Sequence, residues 1–396
     1  MNNIEDFDPT NPDHLDPTKY EVIEWEENDG RHPNEVKIGV SLFDDLSRRD
    51  ITVNAMCMDV NGNIIDLFDG REHLQSGLII AVGIPEKRFN EDGLRILRNI
   101  RFAARLGFSL ECETERAIME CSCNLPKLSA ERIHDELFKM ASLGGKKFAH
   151  SIETMNALGI LDIILPEVAV MKNFTESPLW HPEAWATGTG TVFDHTMQAL
   201  RQSPTKDALT NIAILLHDVA KPVTAVFKPE HGGHSFHGHD MASIPLIKNI
   251  SKRLKFSIEE TEAILFCATN HMKMHLSEVM KPTKIVPMVT NKNWEMLKIV
   301  SFCDDSSRRT FSSDPEFHFN EEKFNMNINR FEEVAAKWSS NSKPTKIVDG
   351  NMVMEITGLK PSRELGNIIT RVTEMVLDEN RTESIEELIK EVWNAR

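Results

Sequence analysis

The sequence predicts an α+β protein in which a small N-terminal sheet is followed by a mainly helical remainder. Residues 20–70 hold short apolar runs with β-branched residues, and they include the strong turn signal Asn61-Gly62. From about residue 88 the apolar residues recur at the 3.6-residue period of amphipathic helices. A chain of 396 residues exceeds what one hydrophobic core usually holds, so we expect two to four domains.

Composition and charge exclude several classes of protein. The net charge of −16 argues against general adhesion to nucleic acid, although a local basic track remains compatible with it. No stretch approaches the ~20 consecutive apolar residues of a membrane helix. The N-terminus has neither the basic flank nor the apolar stretch of a signal peptide. Six cysteines form no CxxC pair and no disulfide framework. We therefore expect a cytoplasmic protein without a membrane partner.

The N-terminal elements follow in order. Residues 1–19 are rich in Asp, Asn and Pro and predict an extended lead. The alternating segment Tyr20–Trp25 predicts a strand. The segments 51–60 and 64–68 predict the two strands of a hairpin around Asn61-Gly62, within one small sheet over residues 20–70. The charged segment DLSRRD lies at the entrance to this hairpin.

The segment Arg88–Gly107 predicts one continuous amphipathic helix. Its apolar stripe comprises Ile96, Leu97, Ile100, Ala103 and Ala104. A second stripe is basic and comprises Arg95, Arg98, Arg101 and Arg105. Asp92 and Arg95, one turn apart, are expected to be surface neighbours. A row of arginines beside one Asp–Arg pair is suited to binding a polyanion together with a planar group that carries hydrogen-bond donors and acceptors. The alternative is a helix whose arginines are paired with acidic neighbours.

Helices dominate the rest of the chain. Ser129 is expected to start a helix that the Gly144-Gly145 pair ends, and Lys337–Pro344 is expected to be a linker. Further helices are predicted over residues 191–201, 207–219, 243–254, 258–274, 294–304 and 384–393, with two short ones within 351–377.

Histidine and aspartate recur on several of these predicted helices. The candidates are His195, His217, Asp218, His237, His239, His271, Asp304 and Asp305. Imidazole and carboxylate groups suit first-row divalent metals, and helical bundles build metal sites from inward side chains of facing helices. The alternative is a set of buried histidines with structural hydrogen bonds, because His-Asp dipeptides also occur at His134-Asp135 and His239-Asp240.

Several motifs together resemble one family. The succession DDLSRRDITVNAM, NGNIIDLFDG, RFNEDGLRILRNIRFAARLGF, AERIHDEL and LGILDIILPEV is similar to the bacterial tRNA nucleotidyltransferases, or CCA-adding enzymes, and the related poly(A) polymerases. WHPE, DHT, LLHDVAK and HGH resemble the HD phosphohydrolase domain attached to some of them. The resemblance implies a truncated nucleotidyltransferase (polymerase β-like) head sheet followed by helical parts. The expected domains are a lead (1–19), a partial head (20–80), a neck for nucleotide selection (81–140), a body (141–178), an HD domain (179–310) and a tail (311–396).

The resemblance assigns roles to the arginine-rich segments. The family's RRD motif falls on Arg48, Arg49 and Asp50 and contacts the incoming nucleotide. Its EDxxR motif falls on Glu91, Asp92 and Arg95, where Asp and Arg hydrogen-bond the base edge of CTP or ATP. The expected nucleotide-binding residues are Arg48, Arg49, Asp50, Asn54, Arg88, Asp92, Arg95 and Arg98. The expected RNA-binding residues are Arg98, Arg101 and Arg105, with the Lys248–Phe256 segment as a weaker candidate.

In the HD domain the resemblance implies metal ligation by His195, His217, Asp218 and a late aspartate. Asp304 fits this position better than Asp305, because Ser301 then lies three residues before the aspartate and Arg308 four residues after it. The implied chemistry is 2′,3′-cyclic phosphodiesterase and phosphatase activity that depends on a divalent transition metal.

The sequence departs from the family at its start. The family has a Gly-rich loop and a DxD carboxylate pair that binds Mg²⁺ for nucleotidyl transfer, upstream of the Tyr20–Trp25 strand. Here the lead offers only Asp6 and Asp8, which prolines follow closely, so we do not expect them to be the catalytic pair. The catalytic carboxylates are thus unknown, and we expect either a separate chain that supplies this part of the head or a truncated product.

Three functions remain open at this point. The first is CCA addition to the 3′ end of tRNA from CTP and ATP, with this chain supplying nucleotide selection and tRNA binding. The second is a metal-dependent HD phosphohydrolase with a relict head. The third is a poly(A) polymerase.

Overall fold

The structure is a computed structural model that describes residues 41–307, 319–341, 348–379 and 381–395, together with the backbone of two short strands before residue 41. The chain divides into two compact units. The first comprises residues 1–173, 204–212 and 248–258, and the second comprises residues 174–203, 213–247 and 259–396. The division into lead, head, neck, body, HD domain and tail stays a prediction.

The strands of the first unit pair two by two. β1 (Ile23–Glu24) pairs with β2 (Glu35–Val36), β3 (Met56–Met58) with β4 (Ile64–Asp66), and β5 (Leu78–Ile79) with β6 (Ser109–Leu110). The predicted hairpin around Asn61-Gly62 is present, and Gly62 takes a positive φ of 85°. The described strands form separate pairs rather than one sheet over residues 20–70. The reason is that the apolar run after Asp50 gives a bridge to Ala81 and a 3₁₀ turn before it becomes β3.

The helices of the first unit include the one that carries the arginine row. They are α1 (Leu42–Ser47), α2 (Gly70–Ser76), α3 (Pro85–Glu91), α4 (Leu94–Leu106), α5 (Cys112–Cys121), α6 (Ala130–Ala141), α7 (Gly145–Ala157), α8 (Leu161–Ile164) and α9 (Pro166–Ala169). The predicted apolar stripe of α4 is buried throughout, and α4 packs against α6 and α7. Ser129 is the N-cap residue of α6, as predicted, and that helix ends at Ala141.

The prediction of one continuous helix over residues 88–107 is wrong. The chain leaves the helical conformation at Asp92, whose φ and ψ are −151° and 106°. The Asp92 carboxylate then accepts the backbone N–H of Leu94 at 3.0 Å and so satisfies a free donor at the start of α4. Asp92 and Arg95 are therefore not neighbours on one helix face, and α3 and α4 are separate helices.

From residue 174 onward the chain is again mainly helical. It forms α10 (Pro182–Thr187), α11 (Val192–Gln202), α12 (Ala208–Leu216), α13 (Lys221–Thr224), the antiparallel strands β7 (Val226–Lys228) and β8 (Gly233–Ser235), α14 (His239–Arg253), α15 (Ile258–Asn270), α16 (Pro282–Val289), α17 (Trp294–Ser306), α18 (Glu321–Asn341), α19 (Gly350–Thr357), α20 (Arg363–Leu377) and α21 (Ile385–Asn394). The predicted linker at Lys337–Pro344 overlaps the end of α18. Apolar side chains of α19, α20 and α21 form one buried cluster. No helix among the described residues is long and apolar enough to cross a membrane.

Gly190 holds the loop before α11 in place. Its φ is 77°, and a Cβ atom there would lie 2.2 Å from the ring of Trp185. That ring cannot easily move, because its N–H donates to the carbonyl of Glu176 at 3.0 Å. We predict that Gly190→Ala lowers the free energy of unfolding by about 2–3 kcal/mol, measured by denaturant melts. Gly238→Ala is the matched control, because Gly238 also has a positive φ but has open space around it. Equal losses in both variants would contradict the steric argument.

Candidate metal centre and nucleotide pocket

Four buried side chains of the second unit converge on one point. His195 comes from α11, His217 and Asp218 directly follow α12, and Asp304 lies near the end of α17. One ligand atom from each lies within 4.8 Å of the others. Nε2 of His195 is 3.0 Å from Asp304 Oδ1, and Nε2 of His217 is 3.1 Å from Asp218 Oδ2. The structure thus brings together the four residues expected as metal ligands.

Hydrogen bonds orient both imidazoles toward this point. Nδ1 of His217 donates to the backbone carbonyl of Ile214 at 2.7 Å, so in the neutral ring, the form that binds a metal, Nε2 carries the lone pair. Nδ1 of His195 faces the buried carboxylate of Glu183 at 2.7 Å. Metal-bound histidines typically use such partners to fix the tautomer and the ring orientation. His217 Nε2 and Asp218 Oδ1 are buried and form no hydrogen bond with any described residue, so the donor set fits a divalent cation.

Strong electrostatic coupling accompanies this convergence. Burial opposes protonation of His195, but hydrogen bonds to Asp304 and Glu183 outweigh it and raise the pKa of His195 to about 9. Burial likewise opposes the charge on His217, yet the adjacent Asp218 carboxylate raises the pKa of His217 to about 10. Burial disfavours the charged form of Asp218 too, but the charges of His217 and Lys221 hold its pKa well below the ordinary value. Positive charge near these carboxylates is therefore strongly favoured.

A buried ion pair borders the metal centre. Nζ of Lys221 lies 2.7 Å from Asp218 Oδ2 and 2.7 Å from Glu176 Oε1. Burial disfavours the ammonium, but Asp218 and Glu176 together raise the pKa of Lys221 above its ordinary value. Lys221 also lies over the ring of Phe236 at 5.4 Å. A cavity of about 550 Å³ opens here, and its lining includes Trp180, Asp218, Lys221 and Asp304.

Sequence reasoning missed the groups around the four ligands. It assigned no role to Glu176, His181, Glu183 or Lys221, although WHPE and LLHDVAK contain three of them. The available signal was their position beside ligands within those motifs. Asp304, rather than Asp305, faces the other ligands, since Asp305 lies 3.4 Å from His275 instead.

The first unit has a separate polar pocket of about 480 Å³. It is lined by Arg48, Arg49, Asp50, Asn54 and Arg98. The end of α1 and the following turn supply the first four, and α4 supplies Arg98. The Asp50 carboxylate accepts a hydrogen bond from the Nε–H of Arg98 at 2.7 Å. It also lies 3.6 Å from Nε of Arg95. Asp50 thus holds two α4 guanidinium groups in place.

The remaining expected nucleotide-binding residues lie outside the pocket lining. Arg88 donates to the carbonyl of Ser47 at 3.0 Å, and Arg95 donates to the carbonyl of Arg48 at 3.1 Å. Asp92 pairs with Arg132 of α6 at 2.7 Å and does not pair with Arg95. Asp6 and Asp8 lie outside the described residues.

The basic row of α4 is not a continuous exposed track. Nε of Arg101 lies 2.7 Å from Glu136, and the two side chains are 11% and 1% exposed. Of the four arginines in the row, Arg98 and Arg105 are the two that present their guanidinium groups to solvent. The side chain of Arg98 is 37% exposed, and Arg105 is exposed as well. The expected RNA-binding role of Arg101 therefore conflicts with its burial, because a phosphate would have to compete with Glu136.

Family models match three parts of the chain. The model described as the poly A polymerase head domain matches residues 9–80. The model described as a probable RNA and SrmB-binding site of polymerase A matches residues 107–172. The HD domain model matches residues 148–305.

Curated relatives include an A-adding tRNA nucleotidyltransferase and several CCA-adding enzymes. An A-adding tRNA nucleotidyltransferase of Deinococcus radiodurans is 29% identical over 86% of this chain and 76% of its own length. A CCA-adding enzyme of Lactiplantibacillus plantarum is 34% identical over 52% of this chain and 51% of its own length. A CCA-adding enzyme of Lactobacillus johnsonii is 47% identical, but over 34% of each chain. The chain thus spans about half of one of these two CCA-adding relatives and about a third of the other.

Solved structures share the fold. The crystal structure of the Bacillus stearothermophilus CCA-adding enzyme in complex with CTP has a TM-score of 0.58 and 21% identity, and the match covers 92% of this chain and 77% of that one. A CCA-adding enzyme complexed with CTP has a TM-score of 0.51 and 20% identity, over 89% and 72% of the two chains. The similarity supports the expected α+β fold.

Proposed function

Since this chain belongs to the family of tRNA nucleotidyltransferases and poly(A) polymerases, we propose that it takes part in CCA addition to the 3′ end of tRNA from CTP and ATP. The observation that carries the proposal is the pocket lined by Arg48, Arg49, Asp50, Asn54 and Arg98. Five of the eight residues expected to bind the nucleotide line it. The proposed partners are tRNA, CTP and ATP, and the proposed site of action is the cytoplasm.

The pocket suits a nucleoside triphosphate. Its three guanidinium groups offer charge-assisted hydrogen bonds to phosphate oxygens, often two from one arginine. Asp50 acts as a positioning residue, because its carboxylate orients Arg98 and Arg95. The Mg²⁺ that nucleotidyl transfer uses is not assigned to any described residue. The described residues bind and orient the nucleotide.

Nucleotide choice is proposed to depend on Asp92 and Arg95. Cytosine and adenine each offer an amino donor beside a ring-nitrogen acceptor on their pairing edge, whereas uracil and guanine offer the reverse. A carboxylate acceptor and a guanidinium donor therefore suit C and A. Asp92 is now bound to Arg132, and Arg95 to Asp50 and Glu91. Nucleotide binding must exchange part of these contacts for the base edge.

We predict that Asp92→Ala removes the preference for CTP and ATP over UTP and GTP. The loss of one charged hydrogen bond is worth about 1.5–3 kcal/mol, or roughly 10–100-fold in relative affinity. Calorimetric titration with each of the four nucleotides measures the preference. Circular dichroism checks α4, since the substitution also removes the carboxylate that accepts the Leu94 N–H at the start of that helix. Asp92→Asn is the matched variant, because it keeps an oxygen acceptor and should keep part of the preference. Unchanged discrimination in Asp92→Ala would remove this role.

Primer assays test the whole proposal. A tRNA that lacks its CCA end is offered with CTP alone, ATP alone or both to this chain together with a family head fragment that carries the DxD pair, and it should gain two C residues and then one A. Incorporation of a single A onto a tRNA already ending in CC would instead indicate an A-adding enzyme, and long A tracts would indicate a poly(A) polymerase. Binding of CTP and ATP no tighter than binding of UTP and GTP would overturn the nucleotide-selection role.

A second function rests on the buried quartet His195, His217, Asp218 and Asp304. We propose that it binds a divalent transition metal and hydrolyses phosphoesters such as 2′,3′-cyclic nucleotides. When bound, the metal would polarise the phosphoryl group and supply a nucleophile at neutral pH. The Lys221 ammonium, held by Glu176, is placed to pair with a phosphoryl oxygen. Glu183 orients His195, and the cavity beside Trp180 leaves space for a nucleotide.

A further inference from the structure

The cavity beside the metal centre combines two kinds of lining group. Its charged groups include Asp218, Lys221 and Asp304, and its large apolar groups are Trp180, Phe236 and Met272. A volume of about 550 Å³ lies within the range of pockets that enclose whole small molecules. A phosphoryl group contacts the charged side chains, so the cavity has space for a further, apolar part of the same ligand.

Trp180 is the largest of the apolar side chains in this lining, yet 49% of it is exposed. Met272 is 44% exposed as well. Covering an indole face with another flat ring removes apolar surface from water and allows offset stacking of the two rings. The exposed part of Trp180 is therefore suited to contact with a flat group of a ligand.

The turn that carries Trp180 is fixed before any ligand arrives. The backbone N–H of Trp180 donates to the carbonyl of Ser177 at 3.1 Å, and the Ser177 hydroxyl donates to the carbonyl of His231 at 3.0 Å. Gly233 of β8 lies so close to this turn that a Cβ atom there would be 2.5 Å from the carbonyl oxygen of Glu176. Because the backbone is already held, placing a ligand on Trp180 requires little ordering of the chain.

The same turn is attached to the cation of the cavity. His181 follows Trp180, and its Nε2 lies 3.7 Å from Oε2 of Glu176. The other carboxylate oxygen of Glu176 lies 2.7 Å from Nζ of Lys221. The indole and the ammonium thus line one cavity and are connected through one buried carboxylate, so a single ligand can contact both.

We propose that Trp180 stacks on the nucleobase of a phosphorylated nucleoside whose phosphoryl group lies beside Lys221. Aromatic side chains bind bases in this way with little regard to their identity, since every base has a π face. This inference rests on the proposed hydrolase and makes Trp180 its specificity-determining residue. The substrate class narrows from phosphoesters in general to nucleoside 2′-phosphates and 2′,3′-cyclic phosphates, either free or at the 3′ end of an RNA.

Fluorine NMR tests the proposal without reference to activity. The full chain, loaded with Zn²⁺, carries 5-fluorotryptophan, and Trp180→Phe identifies the signal of residue 180. One probe is adenosine with a 2′-phosphonomethyl group, whose phosphorus–carbon bond resists hydrolysis, and isopropylphosphonate is the base-free probe. The adenosine probe should shift the Trp180 signal saturably, and isopropylphosphonate should leave it in place. A shift no larger than that of Trp185, which lies outside the described lining, would overturn the proposal.

Substitutions measure the contribution of the indole. Trp180→Ala should weaken binding of the adenosine probe by roughly 5–150-fold in calorimetry, the usual contribution of one stacked base. Trp180→Phe should keep most of the affinity, and both variants should bind isopropylphosphonate like the original chain. Leu179→Ala is the matched control, because Leu179 is half exposed beside Trp180 but lies outside the described lining. Equal weakening of both probes, or of neither, in Trp180→Ala would contradict the assignment.

Two further measurements separate the possible sources and the two proposals. A short RNA that ends in the phosphonomethyl nucleotide should shift the Trp180 signal if RNA ends are bound, whereas a shift with the free probe alone identifies a free nucleotide; either result retains the base subsite. A base-dependent shift without hydrolysis of 2′,3′-cyclic AMP refutes only the hydrolase. Hydrolysis with a KM that Trp180→Ala leaves unchanged refutes only the base subsite.

Discussion

Asp218→Asn is expected to reduce hydrolysis of a 2′,3′-cyclic nucleotide by at least roughly 10³-fold, because the Lewis-acid contribution of a bound metal is worth several kcal/mol. Asp218 belongs to the quartet of candidate metal ligands with His195, His217 and Asp304, and its side chain is almost fully buried. The amide keeps the shape but loses the charge that attracts the cation. Steady-state kinetics with the metal-loaded chain measure the effect.

Asp240→Asn provides the control for this prediction. Asp240 and Asp218 both line the cavity beside the metal centre, but Asp240 does not belong to the quartet. Its variant should keep most of the hydrolytic activity, and both variants should bind CTP and ATP like the original chain. Hydrolysis by Asp218→Asn within tenfold of the unaltered chain would refute the metal centre as the hydrolytic site.

Arg101→Met is expected to destabilise the first unit by about 2–3 kcal/mol. The substitution leaves the buried Glu136 carboxylate without its closest partner, and breaking a buried pair in this way typically costs about 3–5 kcal/mol. The lower value applies here because Lys139 remains 3.0 Å from Glu136. The methionine side chain can still pack against Phe102, over whose ring the guanidinium now lies at 4.5 Å. Denaturant melts measure the loss.

Arg105→Met is the matched variant at an exposed position of the same helix. It should leave stability nearly unchanged and reduce the salt dependence of tRNA binding by about one counterion, whereas folded Arg101→Met should leave that dependence unchanged. A weaker salt dependence in Arg101→Met, without loss of stability, would restore Arg101 to the RNA-binding surface.

The sequence predicted what depends on local periodicity. The buried stripe of α4 follows from apolar residues that recur about every 3.6 positions. The positive φ of Gly62 follows from the Asn61-Gly62 turn signal. The break at Asp92 was missed because the apolar period continues across it, while the two helices are separated by the extended backbone of Asp92 and by one hydrogen bond from the Leu94 N–H to the Asp92 side chain. Periodicity contains no information about such a bond.

The metal ligands were identified through family motifs, and their environment was not. Glu183 and Asp304 both contact His195, yet they lie far apart in sequence. Glu176 meets Lys221 across 45 positions. Such pairs arise from tertiary packing, which neither helical period nor dipeptide composition encodes. The pairing of Arg101 with Glu136 is invisible in the sequence for the same reason.

Arg88 and Arg95 each donate to a main-chain carbonyl at the end of α1, although they lie more than forty positions away. Those carbonyls would otherwise have no partner within their own helix. The two side chains thereby tie the RRD segment to α3 and α4 through backbone rather than through exchangeable surface charges. Local opening of this turn must break both attachments together, so its amide protons should exchange with solvent at rates close to those of α4.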